Sequence, residues 1–254
     1  MTERALWDRL RGSTRSRIGL GRAGDALDTA ALLELGAAHA MARDAVHSAA
    51  DVEALVAGLG ALGFADVPTV HSLAPDRPTY LRRPDLGRLL ADPETLQPVN
   101  ADLGIVVCDG LSAAAVDAHA VPMVAALLAA LPATVSVAPP VVASQGRVAL
   151  GDHVAHRLGV GAVVVFIGER PGLSVADSLG AYLSYRPRPG MADSERNCVS
   201  NIHPPDGLGY QRAAHVLVSL LAGARELGRS GVDLKDGSAE PAVAVASVAQ
   251  VSAG

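Results

Sequence analysis

GAVVVFIG, residues 161–168, is the most strongly strand-like stretch of the chain. Its apolar residues run on without alternation, the pattern of a strand covered on both faces by helices. DLGIVVC, residues 102–108, is a second such run and ends in the turn signal Asp109-Gly110. Between them, Ser112 is placed to cap an Ala- and Leu-rich helix reaching about Leu131. Thr134 to Ala138 is a β-branched run closed by Pro139-Pro140, and Gly151 to Leu158 reads as a short helix opened by Asp152. A final amphipathic helix is predicted from Tyr210 to Leu227, with Val216, Leu217, Leu220 and Leu221 on its apolar side. This βαβαβ order predicts an α/β fold: a Rossmann-like parallel sheet flanked by helices and joined by right-handed crossovers.

Outward from that core, residues 1–71 read as a smaller, mostly helical N-terminal segment. An Ala-rich helix is expected over 28–50, capped by Asp28 or Thr29, and another from about Ala50 to Leu62. Residues 72–100 form a Pro-rich connector with only a short helix near Asp85 to Leu90. The Rossmann-like domain then spans 101–236, and the Ala-, Val- and Ser-rich residues 237–254 read as a flexible tail.

Composition narrows the function. Half the residues are hydrophobic but only 3% are aromatic, so the core is built from Ala, Val and Leu. Such side chains bury little area each, and part of the stability is expected from a partner interface. The net charge of −5 and the lack of a basic block argue against nucleic acid. The longest apolar runs are short and broken, and none reaches the roughly 20 residues of a membrane span. MTERALWDRLRG is too charged for a secretory signal, and Cys108 and Cys198 offer neither a disulfide framework nor zinc-ligand spacing. A reducing, cytosolic setting is the expectation.

Three motifs need weighing. Gly19-Leu20-Gly21-Arg22-Ala23-Gly24 matches GxGxxG, but no strand precedes it and no βαβ unit follows. A Gly-rich turn that lets backbone approach another surface is the better reading, a nicotinamide-binding loop the lesser one. His153 and His156 share a helix face without a third metal ligand, and the nucleophile elbow Gly-x-Ser-x-Gly is absent. The segment from Glu169 to Pro205 begins where the best strand ends, which is where open α/β sheets bind ligands. Glu169 is therefore either a ligand contact or half of a surface ion pair with Arg170. Cys198 reads as a packing residue, since no base for a thiolate nucleophile is evident.

Eight strings carry a resemblance: RIGLGRAG (17–24), YLRRPDLGR (80–88), DGLSA (109–113), QGRVALGD (145–152), GERPGL (168–173), DSLGAY (177–182), RNCVSNI (196–202) and SGVDLKD (230–236). Together and in this order they resemble the small (light) subunit of ethanolamine ammonia-lyase, over about residues 15–236. The resemblance implies an adenosylcobalamin-dependent conversion of ethanolamine to acetaldehyde and ammonia by radical chemistry. It implies a larger, barrel-shaped partner subunit that holds ethanolamine, with the small subunit enclosing the cofactor against it. It leaves open whether the complex sits inside a bacterial microcompartment. Val148, Glu169 and Cys198 match the positions of the family's cobalamin contacts. Arg147 and Arg170 are added from their own chemistry, as candidates to hold the nucleotide-tail phosphate or a side-chain amide, or to bridge to the partner. No residue is assigned a catalytic or metal-ligating role. The Asp-x-His-x-x-Gly signature is missing, so no histidine is expected to replace the cofactor's own base. A non-catalytic corrinoid-binding or assembly protein is the alternative.

Overall fold

A computed structural model describes residues 3–14 and 16–238. Most of the tail expected over 237–254 lies outside the described residues. The helices are α1 (Glu3–Arg11), α2 (Thr29–His47), α3 (Val52–Gly60), α4 (Arg77–Arg82), α5 (Ala113–Ala130), α6 (Leu150–Leu158) and α7 (Tyr210–Leu227). The strands are β1 (Arg22–Ala23), β2 (Ala26–Leu27), β3 (Thr69–His71), β4 (Leu103–Cys108), β5 (Val141–Ser144), β6 (Ala162–Gly168), β7 (Leu179–Tyr185) and β8 (Asn197–Ile202).

The helix-flanked α/β fold is present, but the sheet is mixed rather than parallel. Its order is β3-β5-β4-β6-β7-β8. The first four strands are parallel, whereas β7 runs antiparallel to β6 and β8 antiparallel to β7. The segment after Glu169 is thus not one long loop. It folds back as two strands, because LGAYLSY pairs with the full length of β6 from Gly168↔Leu179 to Ala162↔Tyr185.

Alternation along β4 and β6 explains their unbroken apolar character. Leu103, Ile105, Val107, Val164 and Phe166 face α3, α5 and α7. Val106, Cys108, Val163, Val165 and Ile167 face α6. Both faces are sealed, so every position in both strands is buried. Of the described helices, α5 alone has the length and apolarity of a membrane span. Here Val116, Ala120, Met123, Val124 and Leu127 are buried in the core it shares with α7 and β6.

Local signals place the helix starts. The Asp28, Asp51, Asp76 and Ser112 side chains accept the third following backbone N–H at α2, α3, α4 and α5. Two expectations are corrected. Thr134–Ala138 makes only an isolated bridge, Leu103 to Val137, and the paired strand is β5, beyond Pro139-Pro140. Asp152 does not open α6, which begins two residues earlier; it is buried and bonded to Arg196. Near Asp85–Leu90 the helix is a single 3-10 turn, Leu86–Arg88, and α4 before it is an addition.

The GxGxxG segment behaves as a turn. Gly19 has φ +57°, and a Cβ there would run into the Trp7 ring. Gly24 lies in the β1–β2 hairpin, so no phosphate-cradling strand-to-helix loop forms.

Candidate functional site

Parallel connections that leave a strand in opposite directions open a crevice at the strands' carboxyl ends. In this sheet the reversal falls between β4 and β6: the chain passes from β4 to β5 on one side, then returns to β6 on the other. The crossover helices α5 and α6 accordingly lie on opposite faces. Two glycines make the close approach there. Gly110 has φ +57°, and a Cβ on it would strike the Gly168 carbonyl; a Cβ on Gly168 would strike the Ser112 carbonyl. The Leu111 N–H donates to the Gly168 oxygen at 2.9 Å, joining the two strand ends.

A cleft of about 600 Å³ opens at this point. Arg147, Val148, Glu169 and Arg170 all line it, so four of the five residues singled out in the sequence converge. The fifth, Cys198, is exposed and sits on β8 opposite Tyr182, itself a lining residue. It does not occupy the buried place typical of a free cysteine; Cys108 does.

Glu169 is half-buried and well tied. Its Oε2 accepts the Ser178 hydroxyl at 2.5 Å and the Asn201 N–H at 3.2 Å. Asn201 has φ +63°, a left-handed conformation uncommon for a residue with a Cβ, and this bond helps hold it. No Glu169–Arg170 ion pair appears among the described residues.

Arg147 is positioned from both ends. Its N–H donates to the Gly87 oxygen at 2.7 Å, and its guanidinium lies 4.5 Å from the centroid of the Tyr80 ring. Its Nε is buried with no hydrogen-bond partner. The Arg77 guanidinium lies over the same ring at 4.9 Å, and its Nη2 is likewise buried and unbonded. Tyr80 is fully buried, and burial pushes its phenol up, out of reach of ionisation at neutral pH.

Further arginines complete the rim. Arg88 pairs with Asp193 at 3.2 Å. Partial burial would raise the Asp193 carboxyl, but Arg88 and Arg196 hold it low. Tyr182 is pushed up by burial and by the neighbouring Cys198. Tyr80, Arg88, Tyr182 and Arg196 were not singled out as site residues, although all four lie inside the strings YLRRPDLGR, DSLGAY and RNCVSNI. What the sequence could not display was their meeting.

Residues 4–235 match the family model for the ethanolamine ammonia-lyase light chain (EutC). The chain is 53% identical over 239 residues to the ethanolamine ammonia-lyase small subunit of Rhodococcus erythropolis, covering 94% of this chain and 93% of that one. It is 52% identical over 242 residues to the small subunit of Bradyrhizobium diazoefficiens, covering 92% and 91%. The chain belongs to the ethanolamine ammonia-lyase light chain family.

Within this light chain, seven of the eight strings noted above now have a place. Six supply cleft-lining residues: Tyr80 and Arg88, Gly110 and Leu111, Arg147 and Val148, Gly168 to Arg170, Tyr182, and Arg196. RNCVSNI supplies Arg196 and the strand carrying Cys198. SGVDLKD braces that strand from behind, through Asn197 Nδ2 to the Gly231 and Leu234 oxygens.

Proposed function

We propose that this chain is the small subunit of an adenosylcobalamin-dependent ethanolamine ammonia-lyase, enclosing the cofactor against a larger, substrate-bearing subunit. The overall reaction converts ethanolamine to acetaldehyde and ammonia. The observation that carries this reading is the cleft at the β4–β6 reversal, where Arg147 Nε is buried without an acceptor of its own. A buried donor left unmade is costly, and a ligand acceptor is one way to meet it.

The donor set suits a corrinoid edge. Arg147 and Arg170 are suited to a phosphate or amide carbonyl, Glu169 to amide or ribose donors, and Val148 to apolar ring periphery. Cys198 stands beside Tyr182 as a packing contact. When bound, the cofactor supplies the radical chemistry; this chain's residues bind it, orient it and exclude water. A cleft of about 600 Å³ is drug-sized, smaller than a whole corrinoid with its nucleotide tail. It would grip one edge and leave the rest facing another surface, consistent with a capping role.

The apolar surface supports a partner. Leu32, Leu33 and Met41 on α2 and Leu6 and Leu10 on α1 are exposed, while Ala45 is the one buried residue of α2. A helix apolar around much of its girth is normally covered. Co-expression with a cognate large subunit tests the reading. The expected result is co-purification, a visible cobalamin spectrum and ammonia release from ethanolamine. A stable complex that binds cobalamin but releases no ammonia would instead favour a non-catalytic corrinoid-binding protein.

A further inference from the structure

The five residues between β5 and α6 carry Arg147 and Val148 into the cleft, and their path is unusual. Gln145 has φ +56°, in the left-handed region that side chains rarely adopt. Gly146 follows because nothing larger fits: a Cβ there would strike the Cys108 sulfur. Something must hold this turn.

Asp109, the residue after β4, is placed to do so. It is 5% exposed. Its Oδ2 accepts the Gln145 N–H at 2.9 Å and its Oδ1 the Gly146 N–H at 3.1 Å. Arg77 Nη1 donates to the same Oδ2 at 3.2 Å and to the Gly110 oxygen at 2.8 Å. Arg77 Nε is anchored on the Val46 oxygen at 2.7 Å. From the other side, the Tyr80 hydroxyl donates to the Gly146 oxygen at 2.9 Å. Both backbone groups of Gly146 are thereby held, one by Asp109 and one by Tyr80. Three buried polar atoms without partners cluster around this clamp: Arg77 Nη2, Gln145 Oε1 and Arg147 Nε. Unmet groups gathered at one strained turn mark a place prepared for a ligand rather than for stability alone.

We propose that Asp109 is a positioning residue: by clamping the strained Gln145–Gly146 turn, with Tyr80, it aims the Arg147 guanidinium and Val148 into the cleft and so sets its grip on a phosphate- or amide-bearing ligand. This rests on the cleft's reading as the corrinoid site. Asp109 itself makes no ligand contact in this scheme. It acts through Arg147, and that dependence is what separates positioning from a general structural role.

The test is a double-mutant cycle on the complex with the large subunit, read by visible-absorbance titration of adenosylcobalamin alongside thermal unfolding. Arg147→Ala is expected to weaken binding about tenfold, the loss of one charge-assisted hydrogen bond. Asp109→Asn keeps the shape but turns an amide donor toward donor N–H groups, and is expected to weaken binding by a similar factor. The double variant should bind no more weakly than the poorer single one. Independent, multiplying losses, or an Asp109→Asn complex that melts earlier but binds as the parent does, would overturn the assignment. Tyr80→Phe carries the same test without altering charge should Asp109→Asn fail to assemble; its loss should vanish in the Arg147→Ala background, and a loss that persists there would overturn the assignment too. Parental affinity in Arg147→Ala alone would remove the cleft reading instead.

Discussion

Arg196 and Asp152 form a two-pronged ion pair, Nη1 to Oδ1 at 2.6 Å and Nη2 to Oδ2 at 2.7 Å, with both side chains almost wholly out of water. The pair bolts the start of β8 to the first turn of α6, beside the cleft that Arg196 lines. Arg196 also donates to the Ser184 hydroxyl and the Met191 oxygen, so its guanidinium is nearly fully used. Removing Asp152 leaves the buried Arg196 charge with only the longer contact to Asp193, 3.4 Å. Asp152→Ala should cost about 3–5 kcal/mol of stability, while replacing both partners with apolar residues of similar volume should restore most of it. Chemical unfolding of the two variants checks this.

Glu169→Ala should reduce cobalamin affinity in the reconstituted complex by about tenfold to a hundredfold, the worth of a buried hydrogen bond to a charged group, roughly 1.5–3 kcal/mol. The substitution also frees Ser178 and Asn201, which the carboxylate now ties. Glu169→Gln keeps an acceptor and should lose less. Equal affinity in all three proteins would move the contact off this side chain.

Cys198→Ala should leave turnover in place and weaken cofactor binding only slightly. Desolvation pushes the Cys198 thiol up, the Tyr182 hydroxyl pulls it down, and the Glu169 carboxylate pushes it up again. A thiol held above its ordinary range is a poor nucleophile near neutrality. Slow alkylation at pH 7 and retained ammonia release are the expected readings.

Leu33→Glu should weaken assembly with the large subunit and make the isolated chain more soluble. Leu33 is 68% exposed on α2, and covering one such side chain contributes on the order of 1.5–3 kcal/mol. Co-purification yield and light scattering measure the two effects. The isolated parent chain should show no turnover of ethanolamine.

Stability should fall as pH drops below about 6.5, the ordinary range of a histidine. Burial lowers the His119 pKa, against the pull of Asp177, and its Nδ1 shares a hydrogen with the Tyr210 hydroxyl at 2.8 Å. The folded chain therefore binds the proton less well than the unfolded one. Stability is full above the unfolded value and is lost as pH falls toward the folded one. His119→Gln should flatten that part of the pH–stability curve, measured by denaturant midpoints between pH 5 and 8.

The chain's elements divide by how local their causes are. The α7 bounds, the Ser112 cap of α5, and strands β4 and β6 were legible in sequence because periodicity, a capping oxygen and an unbroken apolar run act within a few residues. Glu169 was legible for the same reason, standing just past the end of the best strand; the family strings marked Val148, and the chemistry of a neighbouring guanidinium suggested Arg147. Tertiary structure decided the rest. NCVSNI and LGAYLSY mix polar and apolar residues and become strands only by pairing along β6; that pairing also sets them antiparallel. VVAS outcompeted TVSVA for the sheet because it is the segment that reaches both β3 and β4 in register. The clamp of Asp109 and Tyr80 on Gly146 joins residues 37 and 66 positions apart, and the Arg196–Asp152 pair spans 44. A hydrogen bond is satisfied by whatever the fold brings within about 3 Å, and no spacing along a chain announces which partner that will be.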